Sequence, residues 1–219
     1  MRALVAAFLV TATIGGCTDG SEYAQAICAL IDTSGTYADQ RGEVLDIIQQ
    51  GLLPKLLPGD SLMLIRIDSD SYAKENLEAR LTLDHRPSHA NAQKMAFADR
   101  IDELRAHVEW SKHTDITGAM MLCTEYLAET GAGTRTILIF SDMKEELPRG
   151  TTRTLDAKEF EGTRLVAMNV KRLRADNADP GRYRKRLERW GKTVTNNGAS
   201  DWRVIHDPDR LLAYLYEGR

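Results

Sequence analysis

Apolar and polar residues alternate along this chain in blocks of two kinds. AICALI (26–31) is a short apolar run, the pattern of a strand buried on both faces. GEVLDIIQQGLLPKLL (42–57) spaces Val44, Leu45, Ile47, Ile48, Leu52 and Leu53 as a helix does, and Pro54 is expected to end or kink it. Pro58-Gly59-Asp60 reads as a turn into SLMLIRI (61–67), a second strand. LEARLTL (77–83) alternates and is poorer in apolar residues, which suits an edge strand. Residues 89–109 carry Ala92, Met95, Ala96, Ile101, Leu104 and Val108 on or near one helical face, and ITGAMMLCTEYLAET (116–130) continues in helical spacing after a short break. TRTILIF (134–140) and TRLVAMNV (163–170) read as strands. A basic helix over 180–197, a short strand WRVIH (202–206) and a closing helix at 207–215, started by Asp207 and Pro208, complete the pattern.

Strands separated by helices predict an α/β fold of three layers, a doubly wound and mostly parallel sheet flanked by helices, as in Rossmann-like topologies. A chain of 219 residues, 42% hydrophobic, suits one such domain. Net charge −3 gives no global reason to expect nucleic acid as a partner.

The first residues follow another logic. MRALVAAFLVTATIGGC opens with one Arg, runs apolar from Ala3 to Ile14 and closes on Gly15, Gly16 and Cys17. An apolar run of about a dozen residues is too short to span a bilayer as a helix. It has the size and flanks of an export signal. The small residues before Cys17 resemble a bacterial lipobox, which implies a lipidated Cys17. The expected organisation is a signal over 1–17, a linker over 18–22 and one domain over 23–217. That chain would be a lipoprotein of the bacterial cell envelope, facing the periplasm and held to the membrane through Cys17. Asp19 does not directly follow Cys17, so the outer membrane is favoured. A soluble secreted form is the alternative.

Parallel sheets place their sites beyond the C-terminal ends of the strands. Asp32, Ser34 and Thr36 follow the first strand, Asp142 follows the fourth, and His113-Thr114-Asp115 fills the break before the second helical run. Two carboxylates and three hydroxyls are hard oxygen ligands, which suit Mg²⁺, or alternatively Mn²⁺ or Ca²⁺, rather than zinc.

These residues carry a family resemblance. Asp32-Thr33-Ser34-Gly35-Thr36 after an apolar strand resembles the D-x-S-x-S motif of von Willebrand factor type A domains. Thr114-Asp115-Ile116 and Ile137-Leu138-Ile139-Phe140-Ser141-Asp142 resemble the family's threonine and strand-then-Asp segments, in the family's order. The resemblance implies a metal-ion-dependent adhesion site. Ser34 and Thr36 would touch the metal directly, Thr114 directly or through water, and Asp32 and Asp142 mostly through water and hydrogen bonds. The remaining coordination position would accept an acidic side chain from a protein partner. Such a protein is a binding module, not an enzyme. Two positions depart from the pattern: Thr36 stands where Ser is usual, and Met143 where Gly is usual. Met143 is expected to place a bulky apolar side chain beside the site. His113, Asp115 and Asp68 are further candidates for its rim.

Other readings of the same residues exist. Asp32 after an apolar first strand also suggests a phosphotransfer nucleophile of the haloacid-dehalogenase type. That chemistry wants a second carboxylate at position 34, where this chain has Ser. A metal-free interaction module is the other alternative. The basic segment from Lys171 to Arg189 reads as a solvated helix face, with an anionic partner or lipid headgroups as the functional reading. Cys28 and Cys123 fall at similar depth below the candidate site. Two small buried thiols are the default expectation, since a disulfide needs Cβ atoms within roughly 4.5 Å.

Overall fold

The computed structural model describes residues 20–35, 37–107, 110–168 and 170–216. The signal sequence, Cys17, Thr36 and Val108 lie outside the described residues. Six strands form one sheet: β1 (Gln25–Asp32), β2 (Ser61–Ile67), β3 (Leu77–Thr82), β4 (Thr134–Phe140), β5 (Thr163–Met168) and β6 (Asp201–Ile205). Their order is β3-β2-β1-β4-β5-β6. Every neighbouring pair is parallel except β2 with β3, so the strand poorest in apolar residues is the antiparallel edge. The chain fills one side of β1 first and then crosses to β4 on the other side. The order therefore reverses between β1 and β4, where such sheets open a crevice.

The helices are α1 (Arg41–Asp46), α2 (Pro87–Ala106), α3 (Ile116–Glu129), α4 (Arg174–Ala178), α5 (Pro180–Asn196) and α6 (Pro208–Tyr216). All eight residues of β1 are buried, because side chains on both of its faces meet a helical layer. Ile27, Ala29 and Ile31 pack with Leu45, Ile48, Phe97, Ile101 and Leu211 beneath α1, α2 and α6. Cys28 and Leu30 pack with Met120, Leu127, Trp190 and Val194 beneath α3 and α5. Burying each large aliphatic side chain stabilises the fold by about 1.5–3 kcal/mol.

Two expectations change here. The helix expected over 42–57, ended or kinked at Pro54, is already broken before that residue. After α1 the chain widens into a π-helical turn over Ile47–Leu52 and tightens into a 3₁₀ turn at Leu53–Lys55. Pro54 supplies no N–H to continue an α-helical ladder, so the tightening coincides with it. The thiol expectation is also corrected: Cys28 and Cys123 form a disulfide with a Cα–Cα distance of 5.9 Å. Helix α3 lies directly on β1, so the similar depth of the two cysteines becomes contact. Among the described residues no helix is long and apolar enough to cross a membrane.

Candidate functional site

The crevice is built by backbone pairing before any side chain is considered. Ile31 pairs with Phe140, so the residues that follow them, Asp32 and Ser141, leave the sheet side by side. The segment before α3 then crosses these strand ends. Ser111 N–H donates to the Thr33 carbonyl at 3.2 Å, and Asp115 N–H to the Asp68 carbonyl at 2.9 Å. Thr114 and Glu146 exchange two backbone hydrogen bonds, each of 2.9 Å. One short segment is thus tied in turn to the loops after β1, β2 and β4, and it carries Thr114 into their midst.

Asp32, Ser34, Thr114 and Asp142 are all buried here. One Asp32 oxygen accepts the Ser34 N–H at 2.8 Å and the other accepts the Ser141 hydroxyl at 2.6 Å. Asp142 Oδ1 accepts the Lys144 N–H at 2.8 Å. Burial pushes the Asp32 carboxyl above its ordinary value, over the opposing hydrogen bonds from Ser141 and Ser34, and the neighbouring Asp142 carboxylate pushes in the same direction. Ser141 was quoted in the sequence only as part of a strand-end motif. Its role as the hydroxyl that orients Asp32 is visible only once β1 and β4 are adjacent.

Three solved structures share this architecture. BatB from Bacteroides thetaiotaomicron has a TM-score of 0.51 at 14% identity, covering 88% of this chain and 95% of that one. The pilus adhesin SpaC from Lactobacillus rhamnosus GG has a TM-score of 0.51 at 12% identity, covering 88% of this chain and 30% of that one. Proximal thread matrix protein 1 from the mussel byssus has a TM-score of 0.50 at 12% identity, covering 88% of this chain and 46% of that one. The chain thus spans less than half the length of the adhesin and of the byssus protein. No protein-family model matches the sequence, and no curated protein does.

The chain has the von Willebrand factor type A fold.

The four rim candidates fare differently around this fold's crevice. Asp115 is not on a rim. It is fully buried and caps α3, its Oδ1 accepting Gly118 N–H at 2.8 Å. Its Oδ2 accepts Ser71 N–H at 3.0 Å and two bonds from the Arg153 guanidinium, at 2.9 and 2.5 Å. Gly118 leaves room for this cap, since a Cβ there would lie 2.3 Å from Asp115 Oδ2. Met143 also departs from expectation. Its side chain is 1% exposed and packs in the core on the α3 and α5 side, so it neither narrows the crevice nor meets a partner. Its backbone explains why glycine is usual at this position. Met143 has φ 62°, the left-handed region that glycine occupies without steric cost. Trp190 Nε1 donates to the Met143 carbonyl at 2.8 Å and Met143 N–H donates to Ser141 Oγ at 3.0 Å, which hold that conformation.

Asp68 and His113 are half-buried at the edge of the cluster. Asp68 mainly turns the chain, accepting Ser69 N–H at 2.6 Å and facing Arg66 at 3.4 Å. Burial pushes its carboxyl up, but Ser111, Ser69 and Arg66 together hold it below its ordinary value. His113 offers its carbonyl to Ser111 Oγ at 2.6 Å. Arg153 and Glu145 were not singled out in the sequence. Glu145 accepts Thr117 N–H at 2.8 Å at the start of α3, and burial pushes its carboxyl above the ordinary value. Glu145 follows the Asp142 motif by three positions and Arg153 lies further on, and only the path of the loop after β4 brings them to α3.

The donor set fits a hard cation. Among the described residues no group of three His, Cys, Asp or Glu side chains could by itself hold a metal, so a cation here would rest on hydroxyls as well as the two carboxylates. It offers two buried carboxylates with hydroxyls between them. The main influences on Asp32 are burial, neutral hydrogen-bond donors and another acid, and among the described residues it forms no ion pair. A buried carboxylate without a cation is costly, and a divalent ion bound here would offset that cost.

Proposed function

We propose that this chain is an exported, lipid-anchored interaction domain that binds a protein partner through a divalent cation. Asp32, Ser34, Thr36, Thr114 and Asp142 would hold Mg²⁺, with Mn²⁺ or Ca²⁺ as alternatives. The observation that carries this reading is the burial of both Asp32 and Asp142 at the β1–β4 crevice, with Asp32 held by hydrogen bonds from Ser34 and Ser141 and in no ion pair among the described residues. Ser34 and Thr114 provide neutral oxygen donors, which leave a bound ion short of negative charge. Such an ion attracts a Glu or Asp from a partner. Both Asp32 oxygens are engaged in hydrogen bonds and the side chain is fully buried, so the residue lends no support to a phosphotransfer nucleophile. Likeness in fold to a pilus adhesin supports a binding role at the cell envelope, anchored through Cys17. No nucleic acid is expected as a partner.

Calorimetric titration of Mg²⁺, Mn²⁺ and Ca²⁺ into the mature domain and its Asp142→Ala variant tests the site. Saturable binding by the wild type, lost in the variant, is the expected result. A partner pull-down repeated with chelator then tests the mode of capture. Titrations without saturation, together with a pull-down indifferent to chelator, would refute the proposal.

A further inference from the structure

The flank of the sheet farthest from β3 carries a second surface with a different chemistry. Several arginines elsewhere in the domain are paired with acids: Arg66 with Glu78, Arg80 with Glu129, Arg100 with Glu103, Arg105 with Asp46, Arg153 with Asp115. Helix α5 instead gathers several exposed cations on one element. Arg186 is paired with Asp176 at 2.7 Å, but Arg182, Arg184, Lys185, Arg189 and Lys192 are exposed and form no ion pair among the described residues. Arg182, Lys185, Arg189 and Lys192 recur at i, i+3, i+7 and i+10, so they share one stripe about 15 Å long. Like charges at this spacing destabilise a helix.

Beside that stripe lies a groove of about 560 Å³ between α5 and β6. Its floor is apolar: Tyr183, Leu187, Gly191, Trp202 and Val204, with Arg184, Lys192 and one acid, Glu188, on its lip. The absence of a side chain at Gly191 brings the Trp202 ring against the helix, since a Cβ there would lie 2.9 Å from Trp202 Cδ1. Strand β6 is the last in the sheet, and among the described residues no strand pairs with its outer side. An unpaired strand edge beside an apolar groove accepts an extended peptide, through main-chain hydrogen bonds and pockets for alternate side chains. Arg184 and Lys192 outnumber Glu188 on the lip, and with the basic stripe beside it they select the charge of that peptide. A flat lipid surface fits less well, because the apolar side of α5 is already spent on the sheet through Trp190 and Val194.

We propose that the α5–β6 groove is a docking site for an extended acidic segment of a partner protein, added at the edge of β6. This surface is separate from the β1–β4 crevice and does not depend on a metal. The probe is a labelled peptide of about eight residues alternating Glu and Val, with Gln replacing Glu in the control. Binding is measured in chelator, so that failure of the metal site leaves the result unaffected. The acidic peptide is expected to bind, to slow amide hydrogen exchange in β6 and to weaken as salt rises. An Arg184→Glu/Lys192→Glu variant, checked for an unchanged melting transition, is expected to bind at least about tenfold more weakly. Equal binding of the Gln peptide, unchanged exchange in β6, or no loss in the charge-reversed variant would each overturn the proposal. Binding to phosphatidylglycerol-containing vesicles without binding to the peptide would overturn it in favour of a lipid surface.

Discussion

Asp32 and Asp115 stand at the same end of the sheet, both fully buried, in opposite surroundings. Asp115 is neutralised by Arg153 and accepts N–H groups from Ser71 and Gly118, so it is a finished structural knot. Asp32 accepts only neutral donors from Ser34 and Ser141, lies near Asp142, and is pushed toward its neutral form. Burial alone does not make an acid functional. What distinguishes the two is whether the protein supplies the countercharge itself. At α3 it does. At the end of β1 the proposed cation would supply it.

The two regions are linked through the core by the Cys28–Cys123 disulfide, which joins β1, the strand ending in Asp32, to α3, the helix capped by Asp115. Breaking that link gives the largest expected effect. The bridge spans a sequence separation of 95, and a loop of about that length restricts the unfolded chain by about 4–5 kcal/mol. Cys28→Ala/Cys123→Ala is expected to lose stability of that order in denaturant titrations. A loss below about 1 kcal/mol would show that packing alone holds α3 on β1.

The contrast between the acids is tested by substituting each. Asp115→Ala leaves Arg153 with exposed Asp70 as its remaining partner and strips two buried N–H groups of their acceptor, at a cost of about 3–5 kcal/mol. Asp32→Asn keeps an acceptor for Ser34 and removes an uncompensated charge. Without metal it is expected to match or exceed wild-type stability, and to lose any stabilisation by added Mg²⁺. Thermal melts with and without Mg²⁺ measure both. If Asp32→Asn unfolds the metal-free protein, Asp32 is as structural as Asp115 and the distinction fails.

A smaller effect sharpens the account of the α3 knot. Gly118→Ala would ordinarily favour a helix by about 1 kcal/mol. Here the new Cβ falls 2.3 Å from Asp115 Oδ2 and must displace the cap. Loss of a cap costs about 0.5–2 kcal/mol, and the guanidinium bond on that oxygen weakens as well. The variant is expected to melt below wild type, against the propensity of alanine.

These particulars show where the sequence was readable. The apolar runs of β1, β2 and β4 announced themselves because each strand is covered on both faces, and the polar residues after them marked the crevice. The poverty of 77–83 in apolar residues marked the edge. The disulfide was not readable, because depth follows from rise per residue but contact depends on how α3 is rotated over β1. Asp115 resembled a rim residue for a related reason: the arginine that buries its charge lies 38 positions further on. Nothing near Met143 revealed that its backbone takes a glycine conformation while its side chain turns into the core.

The last and smallest effect concerns a third acid, Glu145, which lies between the two extremes. It accepts Thr117 N–H at the start of α3, yet burial outweighs that bond and pushes its carboxyl above the ordinary value. A raised acid binds its proton more tightly in the folded chain than in the unfolded one. Its contribution to stability is therefore fully present below the unfolded value, 4.5, and is lost as pH rises through the raised folded value. Glu145→Gln carries no such dependence. The variant is expected to gain on wild type as pH climbs through that window, and melts at acidic and neutral pH measure the difference. A difference independent of pH would mean that Arg153, close enough to pull the carboxyl down, already compensates Glu145 as it does Asp115. Asp32 would then stand alone among these three acids as the one whose countercharge the protein leaves to a ligand.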